Sequence, residues 1–316
     1  MMVEITIELD KARTDSTKYI NQIIKNGNQN TKDKFNSILE EQTEFATKLY
    51  ETLKKYSPTY DNCYDEGNVP TEFENYEELK KFFIKSAYGH HLLRQSTFRD
   101  ETLNEPGEKF VKKICEYCFC NEVSEIDHFY EKVTNPELSI LPLNLVPCCN
   151  SCNKRKNPKE VGFVYPNYKP IKIENLWENN IDFMDQIKNK NLWNCQINTE
   201  SDGNITRFFT TFSINNTNVR PSTEYDVVDD FNKQLAHLKS FQKFEEQGNS
   251  YLNNIIEELR DCKKNDNLKD IQEEFAQQLL EYSYKQTFNR FLNYKLICIE
   301  LYCDLKGSKQ LWNKII

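Results

Sequence analysis

Three features that would place the chain in a membrane or along bare nucleic acid are missing from its 316 residues. No run of about 18 apolar residues occurs, so we expect no membrane span. The segment Met1–Lys11 lacks the basic-then-apolar layout of a secretion signal. The net charge is −8, which argues against a protein that coats nucleic acid through a basic face. A Gly-x-x-x-x-Gly-Lys-Ser/Thr loop is also absent, so we expect any nucleotide-driven step to belong to another protein.

The composition that remains is typical of a globular protein, with 38% hydrophobic and 28% charged residues. Its length suggests two or three domains. We predict a mostly helical α+β protein in three regions: a mainly helical region over 1–104, a cysteine-rich module over 105–165, and a C-terminal region over 166–316 with a small β-hairpin followed by helices.

Apolar residues in the N-terminal region recur at helical spacing. The stripe Tyr19–Ile24 predicts a helix that ends near Gly27, which is a plausible C-cap. A longer stripe predicts an amphipathic helix from about Thr31 to Tyr56. Before them, alternating apolar residues over Val3–Leu9 predict a half-buried strand.

The C-terminal region opens with a hairpin signal. Asp202-Gly203 lies between two apolar runs, the pattern of a tight turn between antiparallel strands. Three apolar stripes at helical spacing follow, over Leu252–Leu259, Leu268–Leu279 and Phe288–Leu296. We interpret all of these stripes as packing surfaces.

The 11 cysteines are an odd number, and four of them form two Cys-x-x-Cys pairs. This usage favours a reducing, cytoplasmic compartment and metal-bound thiolates over disulfides. Cys115/Cys118 and Cys149/Cys152 have the spacing with which two knuckles hold a structural Zn²⁺. Cys120 and Cys148 compete as ligands but fit worse, because neither has a cysteine three positions away within its own knuckle. We read the remaining cysteines as packed thiols: Cys63, Cys195, Cys262, Cys298 and Cys303.

Four polar residues of interest lie in or next to the loop between the pairs: Asp127, His128, Asn144 and Asn153. We expect one strand to end at Asp127-His128 and Ser139–Leu143 to return as the second strand, with Asn144 just after it. The second knuckle would then begin a short helix that carries Asn153 on its first turn.

These residue types suit phosphodiester hydrolysis, which needs an activated water and a cation. His128 can take a proton from water near neutral pH. Asp127 and Asn153 offer the oxygen ligands that Mg²⁺ or Mn²⁺ prefers. Asn144 could hold the imidazole in the required tautomer through a hydrogen bond.

The segment resembles the HNH nuclease family, whose fold is the ββα-metal motif. The resemblance implies that His128 is the general base, that Asp127 and Asn153 bind the catalytic Mg²⁺ or Mn²⁺, and that Asn144 stabilises the loop that positions the base. Many family members carry the same two knuckles around a structural zinc. One departure is Glu131, where many members have proline; we expect it to alter the turn and leave the chemistry unchanged.

With Ser139–Leu143 before Asn144, the motif is also similar to HNH proteins of bacterial antiphage systems of the Septu and retron type, which pair with an ATPase. That resemblance implies DNA as substrate and an ATPase partner in a defence complex. Lys154, Arg155 and Lys156 are the candidate contacts to DNA phosphates, although they could equally be a solvated helix end. The alternative hypothesis is a non-catalytic zinc module that binds nucleic acid or a protein partner and needs only the four paired cysteines.

Overall fold

A computed structural model describes residues 9–55, 57, 59–94, 96–104, 112–156, 193–202, 205–214, 227–264 and 292–315. By their contacts these residues form two compact units. One contains the described residues within 9–117 and 121–156, and the other contains residues 118–120 with the described residues from 193 onward. The predicted domain boundaries at 104/105 and 165/166 involve residues outside the described part of the chain.

The two predicted N-terminal helices are confirmed as α1 (Leu9–Asn26) and α2 (Gln29–Lys54). The Gly27 amide donates to the Ile23 carbonyl at 2.9 Å and closes α1 at the predicted position. Asn28 then caps α2, because its side chain accepts a hydrogen bond from the Thr31 amide. The predicted strand over Val3–Leu9 lies outside the described residues except for Leu9, which begins α1.

A second helical segment follows α2 and packs near the cysteine-rich module. It consists of α3 (Tyr76–Lys81), a π-helix (Phe82–Leu92) and α4 (Ser96–Leu103). Asn75 caps α3 by accepting a hydrogen bond from the Glu78 amide. The π-helix brings Tyr88 against the ring of a histidine in the cysteine-rich module, as described below.

The cysteine-rich module has the order strand, strand, helix. β1 (Glu125–His128) pairs antiparallel with β2 (Leu145–Cys148), and α5 (Asn150–Arg155) follows directly. In this register His128 lies opposite Leu145 and Glu125 opposite Cys148. Pro147 is tolerated in β2 because both strands of a two-stranded sheet are edges.

The prediction that Ser139–Leu143 forms the second strand is wrong. That stretch belongs to two short 3₁₀ turns, Pro136–Ile140 and Pro142–Asn144, and strand pairing begins only at Leu145. Each turn begins at a proline, whose fixed φ suits a turn and whose missing N–H cannot join a ladder. Asn144 therefore precedes the second strand instead of following it.

The other unit packs helices on a long hairpin. β3 (Trp193–Asp202) pairs antiparallel with β4 (Ile205–Ile214), and the register brings Asp202 opposite Ile205, which confirms the predicted hairpin. Gly248 allows a close approach of a following helix to the hairpin, since a Cβ there would lie 2.7 Å from Thr210 Oγ1. The helices are α6 (Val227–His237), α7 (Ser240–Lys264), α8 (Leu292–Lys306) and α9 (Gln310–Ile315).

The stripe Leu252–Leu259 lies in α7, and its four apolar residues are buried in the core of this unit. The stripe Leu268–Leu279 and the start of the stripe at Phe288 lie outside the described residues. The described chain is mostly helical with two small two-stranded sheets, which fits the predicted α+β class. None of its described helices combines the length and the apolar character needed to cross a bilayer.

Candidate metal centre and the adjoining polar site

The four paired cysteines form a cluster. Their Sγ atoms all lie within 4.8 Å of one another, and all four residues are buried. A tetrahedral zinc site with Zn–S bonds of about 2.3 Å places its sulfurs about 3.8 Å apart, so small adjustments of the side chains would accommodate the ion. The cluster can therefore hold a metal ion such as zinc, and it consists of the four cysteines whose spacing predicted such a site: Cys115, Cys118, Cys149 and Cys152.

Each knuckle is a tight turn. In the first, the Cys115 amide donates to the Asn121 carbonyl at 2.7 Å, and Ile114 bridges to Glu122. Phe119 turns the chain in the left-handed region with φ 56, a conformation that glycine adopts at lower cost. In the second knuckle Cys149 is the N-cap residue of α5 and Cys152 lies in its first turn.

The two competing cysteines lie outside the cluster. The Cys120 thiol donates to the Cys118 carbonyl at 3.0 Å. Cys148 is buried on β2, and burial raises the pKa of its thiol well above the ordinary value, which favours the neutral form. Neither belongs to the group of thiols that could share an ion.

Asn144 clamps the loop that follows β1. Its side chain is fully buried, and its Oδ1 accepts from the Tyr130 amide at 2.8 Å. Its Nδ2 donates to the carbonyls of Tyr130 at 3.0 Å and Leu138 at 3.2 Å. The side-chain amide of Asn144 thus hydrogen-bonds to both the N–H and the carbonyl of Tyr130, two positions after His128. These contacts match a residue that stabilises the loop, whereas the predicted hydrogen bond to the imidazole is made by another group.

That group is a backbone carbonyl. His128 Nε2 lies 3.2 Å from the Ser139 oxygen, and the edge of Tyr88 packs on the ring with centroids 4.5 Å apart. Because a carbonyl only accepts, Nε2 carries the proton and Nδ1 keeps its lone pair. The residue is 7% exposed. Burial and the nearby charge of Lys132 lower the pKa of His128 to about 3, so the imidazole is neutral at pH 7.

Asp127 carries a buried ion pair. Its Oδ2 accepts from the Tyr117 hydroxyl at 2.8 Å and from Lys156 Nζ at 2.6 Å. The same ammonium donates to the carbonyls of His128 at 2.7 Å and Phe129 at 2.9 Å. The side chains of Lys156 and Asp127 are only 7% and 13% exposed. Lys156 therefore connects the end of α5 to the end of β1.

This arrangement corrects one part of the predicted DNA contact. Lys154 and Arg155 are exposed at the end of α5, where a phosphate could reach them. Lys156 is instead committed to three oxygen atoms inside the protein. Position in the sequence could not separate the three, because helix geometry turns neighbouring residues to different faces.

Asn153 contacts an acidic residue that the sequence reasoning missed. Its Nδ2 donates to one carboxylate oxygen of Glu125, and Asn150 Nδ2 donates to the other. The hydrogen bond from Asn153, and to a smaller extent that from Asn150, lowers the pKa of the Glu125 carboxyl below its ordinary value. Strand alternation offered a signal for it, since Glu125 lies two positions before Asp127 and shares its face of β1.

The two faces of β1 thus differ in chemistry. On one side, Glu125 contacts Asn153 of α5, and Asp127 contacts Lys156, the residue that follows α5. On the other side, His128 contacts Tyr88 of the π-helix and the 3₁₀ turn that contains Ser139. One strand end therefore presents oxygen donors on one face and a neutral imidazole on the other.

Comparisons with known proteins leave the family open. The chain is 40% identical over 80 residues to Protein ea31 of Escherichia phage lambda, a stretch that covers 24% of this chain and 25% of that protein. The match therefore spans about a quarter of the relative's length. No family model and no solved structure matches the chain.

Proposed function

We propose that the protein is a Mg²⁺- or Mn²⁺-dependent HNH endonuclease that hydrolyses DNA phosphodiester bonds. The observation that carries this proposal is the ordered site: Asp127-His128 ends β1, Asn144 clamps the following loop, and α5 presents Asn153 beside a four-thiol cluster. The order of these groups along the chain supports the proposal.

His128 would act as the general base. Its neutral ring donates through Nε2 to Ser139, so Nδ1 is the nitrogen that would accept a proton from the attacking water. The Ser139 carbonyl also steadies the imidazolium that forms, since it accepts from the ring in both protonation states.

Asp127 and Asn153 would hold the divalent ion. Among the described residues, Tyr117 and Lys156 donate to Oδ2 of Asp127, so Oδ1 is the oxygen that would bind the ion. Carboxylate and amide oxygens fit the preference of Mg²⁺ and Mn²⁺ for hard donors. The bound ion supplies positive charge for the phosphorane-like transition state and the leaving oxygen.

Affinity for DNA must come from few charges, because the net charge is −8. Lys154 and Arg155 are exposed beside the site and would contact phosphates. We therefore extend the proposal to an assembly in bacterial antiphage defence in which an ATPase partner brings the nuclease to its substrate. Co-expression with neighbouring gene products and size-exclusion chromatography tests it; separate elution of every candidate would count against the assembly.

The nuclease proposal is tested by nicking of supercoiled plasmid with Mg²⁺ or Mn²⁺. We expect the zinc-loaded chain to nick, His128→Ala to lose at least 100-fold in rate, within the range typical of a general base, and His90→Ala to nick normally. His90 is an exposed histidine on the π-helix and serves as the control. Zinc content and Tm identify any variant that has simply unfolded. Equal nicking by His128→Ala and the wild type would remove the assigned base.

The second candidate is a non-catalytic zinc module that binds nucleic acid or a protein. It is favoured by the Lys156 ammonium on Asp127 and by the burial of His128. Divalent-ion binding separates the two candidates. The nuclease requires Mn²⁺ affinity that falls in Asp127→Ala and Asn153→Ala, whereas unchanged affinity in both variants supports the binding module.

A further inference from the structure

The contacts of Glu125 orient the amide of Asn153. A carboxylate only accepts hydrogen bonds, so the side-chain group of Asn153 that faces Glu125 must be its NH₂. Oxygen and nitrogen of an asparagine amide are otherwise interchangeable in shape, and the hydrogen-bond network decides between them. With nitrogen toward Glu125, Oδ1 of Asn153 points away from that carboxylate.

We propose that Glu125 is a positioning residue for cation binding: it keeps the Asn153 amide oxygen turned outward as a metal ligand. The inference rests on the proposed function, since it takes Asn153 to be a ligand. Glu125 acts through Asn153 and takes no direct part in the reaction.

The site supports this role over a merely structural one. Glu125 is on the strand face that also carries Asp127, so the amide that it orients lies on the side of the other proposed ligand. Asn150 donates to the other carboxylate oxygen, so the oxygen that orients Asn153 is not shared with it. A freely rotating amide would present its NH₂ group to the ion for part of the time. The nitrogen of this neutral NH₂ group donates hydrogen bonds and does not bind Mn²⁺.

The chain offers a matched control. Asn150 and Asn153 lie three residues apart on α5 and donate to the same carboxylate, but only Asn153 is a proposed ligand. Asn150→Ala should leave Mn²⁺ affinity within about 3-fold of the wild type, far less than the loss expected for partners that orient a metal ligand.

The main experiment measures binding of Mn²⁺ alone to the zinc-loaded full chain by electron paramagnetic resonance titration. We expect Glu125→Gln to weaken Mn²⁺ binding by about 10–100-fold, the usual effect of removing a group that orients a metal ligand. Zinc content and Tm should stay near wild-type values, which a loss of folding would not allow.

Rescue by reversing the pair provides the sharper test. In Glu125→Gln/Asn153→Asp the glutamine donates and the new carboxylate accepts, so the hydrogen bond returns with its polarity reversed. An aspartate presents oxygen in either orientation and no longer needs to be oriented. We expect Mn²⁺ affinity to recover to within about 3-fold of the wild type.

The outcomes separate this inference from the proposed function. Wild-type Mn²⁺ affinity in Glu125→Gln, or failure of the double variant to recover, overturns the role of Glu125 alone, provided that Asp127→Ala and Asn153→Ala still lose the ion. A wild-type chain that binds no Mn²⁺ overturns both proposals. Loss in Glu125→Gln with recovery in the double variant supports both.

Discussion

Two antiparallel strand pairs in the described part of the chain are covered in different ways. β3 and β4 have ten residues each, and their buried face packs apolar side chains on α7 and α8. β1 and β2 have four residues each, and three of the four in β1 are Glu125, Asp127 and His128. An isolated two-stranded ribbon is marginal in water, so each pair needs support from outside.

The difference shows how a polar strand end can be kept in place. Apolar burial stabilises the long pair in the ordinary way. The short pair is flanked instead by the four-thiol cluster, the Asn144 clamp and the Lys156–Asp127 ion pair. Polar cross-links leave chemically useful groups on β1, whereas a fully apolar face would have excluded them.

Loss of the metal should have the largest effect. Cys149→Ser removes one of the four thiolates, and structural zinc sites of this kind contribute about 10–16 kcal/mol of apparent binding free energy. We expect a loss of bound zinc and of protection against hydrogen exchange in β1 and β2, measured by a chromogenic chelator and by mass spectrometry. Cys148→Ala, the adjacent buried cysteine outside the cluster, should retain its zinc. Equal zinc content in the two variants would contradict the assignment of the ligands.

The long pair should respond to cavities instead. Phe212 on β4 is 6% exposed and packs on Phe244 with ring centroids 5.5 Å apart. Phe212→Ala should lower the free energy of unfolding of its unit by about 3–5 kcal/mol, measured by urea titration, with unchanged zinc content. Phe209→Ala on the same strand is the control, because that ring is 37% exposed and its loss should cost less than about 1 kcal/mol. Similar costs for both would mean that the hairpin is not held by its buried face.

The ion pair should show a smaller effect. Lys156→Met leaves the Asp127 carboxylate without its cation, and we expect a loss of about 2 kcal/mol, below the value for a fully enclosed pair because both side chains keep some exposure. Lys156→Met/Asp127→Asn should recover part of that loss, so a double-mutant cycle in urea measures the coupling. Lys154→Met is the exposed control. Additive effects in the cycle would show that the pair contributes nothing to holding β1.

Much of the fold was predictable from local patterns. Gly27 ends α1 and Asp202 lies opposite Ile205 in the predicted hairpin, because both signals act within a few residues. The position of the second strand was not predictable from apolar residues. The apolar run in Ser139–Leu143 lies in two 3₁₀ turns, each of which begins at a proline. Apolar character alone does not distinguish a buried turn from a buried strand.

In the candidate site, too, local features were predictable from the sequence and contacts between distant residues were not. The residue types and their order predicted a strand end at His128 and a helix with Asn153, and the structure has both. The hydrogen-bond partners were beyond the sequence, because Lys156 lies 29 positions from Asp127 and Ser139 lies 11 positions from His128. No spacing rule specifies which of several polar groups meets a given carboxylate.

The amino-acid sequence by itself determined which cysteines pair within each knuckle, because a separation of three residues lets one turn present both sulfurs. Only the tertiary structure decided that Asp127 pairs with Lys156, Asn153 with Glu125 and His128 with Ser139. Those partners come from different elements, and a buried polar group takes whichever complementary atom the folded backbone brings within reach.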